Sequence, residues 1–185
     1  MKIDKTKIYY IHGYLSSPDS TKGNLLKQKL NAESIRYRDC KPEDLVISEC
    51  IINIEERIKN DKNPILIGSS LGGFLSAKIA LDEPKIKKLV LFNPAIIPKD
   101  YDISKIKDMP QRILKDMIEP RFFNEKIQAE ILILNGIKDE VVPNNWVINF
   151  AKSQEAIIRF LNDDHRLSNN LEKLPVFIKK FCTKD

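Results

Sequence analysis

The stretch "LIGSSLGGFL", residues 66–75, runs from an apolar segment through two adjacent serines set among three glycines. The preceding "PILIG" (64–68) reads as a short buried strand. From residue 71 the spacing changes: Leu71, Leu75 and Ile79 recur at helical intervals as far as residue 82, and Pro84 ends the pattern. The serines therefore sit in a tight strand-to-helix turn. Ser70 has Gly68 and Gly72 two residues away on either side, whereas Ser69 has Ile67 and Leu71. A side chain lifted out of such a turn brings the backbone two residues before and after it into close approach, so those positions must be small. Ser70, not Ser69, fits that G-x-S-x-G requirement. The following helix would also aim its free N–H groups at negative charge developing beside Ser70.

Working outward, further short apolar runs alternate with helical segments: "KIYYI" (7–11), "SIRYR" (34–38), "KLVLF" (88–92), "EILIL" (130–134) and "AIIRFL" (156–161). Several are apolar on both faces, as a sheet covered by helices on both sides requires. The pattern predicts an α/β protein with three layers and a six-stranded, mainly parallel sheet. Pro42, with Glu43 and Asp44, reads as a helix start, and Leu174, Phe177, Ile178 and Phe181 form the apolar stripe of a final helix. Residues 96–129 are too long for a simple crossover. They hold Pro98, Pro110 and Pro120 and a short amphipathic helix from Pro110 through Ile118, which suggests a lid or substrate wall.

The bulk properties suit this reading. A chain of 185 residues with 42% hydrophobic and 31% charged residues predicts one folded domain over 1–185. No apolar run approaches the roughly 18 residues of a membrane span, and the charged start of the chain leads straight into a strand, so a cytoplasmic protein is expected. Cys40, Cys50 and Cys182 are widely spaced, without paired spacing or histidine neighbours, so neither disulfides nor a metal site is expected. The net charge of +5 raises the question of nucleic acid. The lysines are scattered among acids and no recognition motif accompanies them, so a solvated basic surface is the expectation.

A serine nucleophile needs a base and an acid, here in the chain order serine, acid, histidine. The chain has two histidines. His165, in "LNDDHRLS", follows the last predicted strand, and Asp139, in "NGIKDEVVP", follows the fifth. Both fall just past strand carboxyl ends, as Ser70 does, where open α/β sheets place their sites. Glu140, Asp163 and Asp164 are rival acids. His12 follows the first strand in "YYIHGYLSSP"; with Gly13 it would shape a loop whose Tyr14 N–H joins the Leu71 N–H in an oxyanion hole. Ser16, Ser17, Lys22 and Arg166 are candidates for the mouth of the site.

The combination "YIHGYLSSPDSTKG", "LIGSSLGGFLSAKIA" and "LFNPA" resembles the YqiA-type small esterases of the α/β-hydrolase superfamily. The resemblance runs from Lys7 to Phe181. It implies the α/β-hydrolase fold, hydrolysis of short to medium acyl esters or thioesters of small molecules, no cofactor, and a triad of Ser70, Asp139 and His165. The acid turn reads "GIKDE" where the family has a shorter G-D-E, which keeps Glu140 as an alternative to Asp139. An acyl-thioesterase or acyltransferase, or a binding protein on a hydrolase fold, are the competing functions. Oligomeric state is not legible in the sequence.

Overall fold

The computed structural model describes residues 6–183; the charged start at residues 1–5 lies outside them. Six strands, β1 (Ile8–Ile11), β2 (Glu33–Ser34), β3 (Ile65–Ser69), β4 (Lys88–Phe92), β5 (Glu130–Gly136) and β6 (Ile157–Leu161), form one sheet in the order β2-β1-β3-β4-β5-β6. Every neighbouring pair is parallel. All carboxyl ends therefore face one edge, and the loops leaving that edge meet there.

Helices cover both faces, because the strands alternate two buried sets of side chains. Ile67, Val90 and Leu132 face α1 (Thr21–Leu30) and α6 (Leu174–Cys182), which contribute Leu26, Leu174, Ile178 and Phe181. Leu66, Leu89, Leu91, Ile131 and Ile133 face the other way, toward α2 (Ile47–Ile58), α3 (Leu71–Asp82) and α5 (Asn144–Gln154). Each face is thus sealed by its own apolar layer, the arrangement that a sheet of two-sided apolar strands demands.

Local structure departs from the sequence expectation in two places. The second strand keeps only Glu33–Ser34 of the region around "SIRYR", because β1 ends at Ile11 and leaves no ladder partner beyond it. Tyr37 makes the contact instead: its hydroxyl donates to the carbonyl oxygens of His12 (3.1 Å) and Gly13 (3.4 Å). Pro42, Glu43 and Asp44 form a single 3-10 turn, and α2 begins at Ile47.

Residues 96–129 carry α4 (Gln111–Asp116) between two 3-10 turns. They bury Ile97, Ile113, Leu114, Met117, Phe122 and Ile127 in the layer that holds α3 and α5. Polar side chains fasten the segment at its rim. Glu119 pairs with Lys78 of α3, Arg121 donates to both oxygens of Asp82 (2.8 and 3.1 Å), and Gln154 of α5 donates to the carbonyls of Phe122 (2.6 Å) and Glu125 (2.8 Å).

Candidate active site

The turn at Ser70 is strained. Ser70 has φ 53° and ψ −116°, a conformation that costs a non-glycine residue on the order of 1–3 kcal/mol. Its own backbone holds it there: the Ser70 N–H donates to Phe92 O (2.9 Å), while the N–H groups of Gly73 (2.9 Å) and Ala95 (3.1 Å) donate to Ser70 O. The flanking glycines are sterically required. A Cβ on Gly72 would lie 2.1 Å from Ile11 O, and one on Gly68 would lie 2.3 Å from Gly72 O. The Leu71 N–H stands at the first turn of α3, where helix N–H groups have no intrahelical acceptor.

The loop after β1 lies against this turn. A Cβ on Gly13 would be 3.3 Å from Ser70 Cβ and 4.0 Å from its Oγ. His12 is buried, its ring stacks on Tyr37 with centroids 4.4 Å apart, and its Nδ1–H donates to Gly13 O at 2.9 Å. Burial pushes the His12 imidazole down to about 4, so the ring is neutral at pH 7. In a trans peptide the N–H points opposite to the C=O. Tying Gly13 O to His12 and Tyr37 therefore directs the Tyr14 N–H away from that pair, and Tyr14 lines the cavity beside Ser70. Arg38, which the sequence did not single out, holds the same loop by donating to Tyr14 O and to Ser16 O (3.2 Å).

His165 and Asp139 meet past the ends of β5 and β6. His165 Nδ1 lies 2.9 and 2.8 Å from the two Asp139 carboxylate oxygens. Asp139 Oδ1 also accepts from the N–H groups of Val141 and Val142, both at 2.8 Å, so the carboxylate is fixed by its own turn. Glu140 touches the histidine only through the backbone, accepting from His165 N–H at 3.2 Å. Asp163 is buried and accepts from Asp164 N–H (2.9 Å), Asn169 N–H (3.2 Å) and Asn170 Nδ2 (2.7 Å). Burial alone would raise its carboxyl, but these donors outweigh it and hold it below the usual carboxylate value. Asp163 shapes the histidine loop rather than facing the ring.

Ser70 and His165 line one open cavity of about 1210 Å³ without a hydrogen bond between their side chains. The cavity lining has an apolar and a polar set. Ile97, Ile106, Met109, Leu114, Met117 and Trp146, from the 96–129 segment and α5, belong to the apolar set. Ser16, Ser17, Lys22, Arg36, Arg38, Arg166 and Ser168 belong to the polar set. Lys22 donates to Arg166 O, and burial lowers its ammonium to about 8. Asp39, Asp108 and Glu140 share this lining, and Asp39 lies 3.8 Å from Arg36, so the folded chain gathers charges of both signs there. Among the described residues no group of three histidine, cysteine or acidic side chains is placed to hold a metal ion, and no helix is long and apolar enough to cross a membrane.

A parallel six-stranded sheet, helices on both faces and a strained serine turn at its carboxyl edge define the α/β-hydrolase fold, and solved structures share it. Est1E from Butyrivibrio proteoclasticus with ferulic acid bound superposes with a TM-score of 0.78 at 20% identity, over 98% of this chain and 90% of that one. Alpha/beta hydrolase domain-containing protein 10 from mouse gives 0.72 at 18% identity (98% and 91%), and the monoacylglycerol lipase of Paleococcus ferrophilus 0.71 at 16% (96% and 94%). No curated protein matches the sequence. The chain belongs to an uncharacterised protein family, UPF0227, whose pattern it matches over residues 7–183. The YqiA-type resemblance of its motifs holds at this level.

Proposed function

We propose that the protein is a serine hydrolase that cleaves carboxylic esters of small molecules through an acyl-enzyme. Ser70 Oγ attacks the ester carbonyl while His165 Nε2 takes its proton; the same proton then goes to the departing alcohol. Asp139 keeps the ring in the Nδ1–H tautomer and balances the imidazolium. The N–H groups of Leu71 and Tyr14 receive the oxyanion. Water, deprotonated by His165, attacks the acyl-Ser70 carbonyl and returns the serine and the free acid. No cofactor enters these steps. The observation that carries the reading is the two-oxygen seat of His165 on Asp139, on the same cavity as a serine held at positive φ.

The apolar set suits an acyl chain and the polar set an alcohol. Residues 96–129 act in this reading as a wall that selects the chain. Est1E has been solved with ferulic acid bound, and another fold neighbour is a monoacylglycerol lipase, so esters of organic acids and of glycerol are the first substrates to assay. Hydrolysis of p-nitrophenyl esters by wild type, and its loss in Ser70→Ala, tests the assignment.

A second reading, thioester hydrolysis, is favoured by one observation. Arg38 uses Nη2 on the 13–17 loop, while its Nη1 is buried and unpaired among the described residues, and Lys22, Arg36 and Arg166 share the cavity. An anionic leaving group would find cations there. Oxygen esters and coenzyme A thioesters of one acyl chain, assayed side by side, separate the two readings.

A further inference from the structure

Residues 92–95, "FNPA", touch all three loops of the candidate triad. Phe92 O and Ala95 N–H bond the backbone of Ser70 at 2.9 and 3.1 Å. Between them, Asn93 is fully buried at the end of the central strand β4, with φ 43°, a left-handed conformation that asparagine tolerates better than most residues. Its N–H donates to Leu134 O of β5 (3.2 Å). Its side chain reaches two further segments. Oδ1 accepts from Gly136 N–H at 2.7 Å, where the Asp139 turn begins; Nδ2 donates to His165 O at 2.7 Å and to Asp164 O at 3.3 Å.

We infer that Asn93 is a positioning residue that sets the base against the acid and the nucleophile. The inference rests on the serine-hydrolase reading and deepens it. The histidine loop has no ladder partner of its own at His165, since β6 ends at Leu161. Its backbone is fixed to the turn carrying Asp139 by Lys138 N–H on Asp163 O (3.0 Å), and to the centre of the sheet by Asn93. A planar amide suits this place: one group presents a donor and an acceptor in opposite directions. Asn93 is fully buried, so losing its side chain leaves the Gly136 N–H and the His165 carbonyl without this partner.

Two variants test the role. Asn93→Gly keeps the positive φ and deletes the side chain. Asn93→Asp keeps the volume and the acceptor for Gly136 N–H, but sets an oxygen against the carbonyls of His165 and Asp164. A displacement of about 1 Å at a reacting group costs on the order of a hundredfold. The expected result is a kcat on p-nitrophenyl butyrate lower by about 10- to 100-fold, with KM within about twofold of wild type. Proton NMR gives a second readout that needs no turnover: the downfield Nδ1–H signal of His165 on Asp139 should be present in wild type and lost or broadened in both variants. Circular dichroism establishes that the variants fold, and Asn93→Asp carries the test should Asn93→Gly not fold. Folded variants with wild-type kcat and an unchanged Nδ1–H signal overturn the inference. A wild type that hydrolyses no ester sinks the hydrolase reading instead, and the NMR signal then decides the role of Asn93 alone.

Discussion

Asp139 seats His165 with both carboxylate oxygens, at 2.9 and 2.8 Å from Nδ1, and its own Oδ1 is held by two backbone N–H groups of the turn it begins. Asp139→Asn separates these two jobs. The amide oxygen still caps Val141 and Val142, so the fold persists, but the NH₂ group faces the ring and favours the wrong tautomer. A drop in kcat of about 10⁴-fold is expected, as for the equivalent change in serine proteases. Glu140→Gln, which alters only an acceptor for the His165 backbone N–H, should cost less than about tenfold. Steady-state kinetics of the two variants in parallel check the assignment, and the reverse order would make Glu140 the acid.

Gly72 is where the serine turn meets the end of β1. A methyl group there would fall 2.1 Å from Ile11 O and 2.5 Å from His12 O, both backbone atoms that cannot rotate aside. Gly72→Ala should therefore cost about 3 kcal/mol or more, at the upper end for overpacked sites. Urea denaturation followed by circular dichroism reads it. A loss under about 1 kcal/mol would mean that the first strand and the turn are not packed as described.

His12 ties stability to pH. Its folded value is lowered to about 4 by burial, from 6.5 in the unfolded chain. Between those values the unfolded state binds more protons, so stability falls as pH drops from 6.5 toward 4, by at most about 1.4 kcal/mol per unit from this group. Asp163 acts lower down: with its carboxyl held below the usual value, its contribution is present above the unfolded value and is lost as pH falls through the folded one. Chemical denaturation from pH 4 to 7 should show a slope for wild type that is reduced in His12→Gln. An equal slope in both would place the titration elsewhere.

The apolar lining predicts chain-length selection. Leu114 and Met117 are buried in the 96–129 segment and also line the cavity. Met117→Trp should fill part of the acyl side, raising KM for octanoyl esters at least fivefold over that for acetyl esters, on the scale of about 1 kcal/mol that pocket contacts of one or two methylenes carry. Parallel changes for both chain lengths would mean that Met117 does not contact the acyl group.

Most of the sheet was legible because strands buried on both faces announce themselves as short apolar runs. "KLVLF" marks β4 at its observed bounds, Lys88–Phe92, and the helical spacing from Leu71 marks α3 to Asp82. The edges were harder. The runs alone do not tell an edge from an interior strand: β6 is an edge with Ile157 and Phe160 half exposed, and at the other edge β2 keeps only Glu33–Ser34. Ser70, Asp139 and His165 could be put forward as candidates because each is a polar residue shortly past a strand end. The supporting residues could not, because Asn93, Tyr37 and Arg38 act on backbone carbonyls of distant segments, and a lone buried asparagine or tyrosine has no spacing that betrays its partner. "NPA" was visible as a motif, but only the folded chain shows His165 O and Gly136 N–H converging on its asparagine.

The central claim is an activated serine at position 70. Intact mass after incubation with a fluorophosphonate, for wild type, Ser70→Ala and Ser69→Ala, tests it most directly. One adduct on wild type and on Ser69→Ala, with none on Ser70→Ala, is the expected result. An unlabelled wild type, or an adduct that survives Ser70→Ala, contradicts it and favours a binding role for this fold.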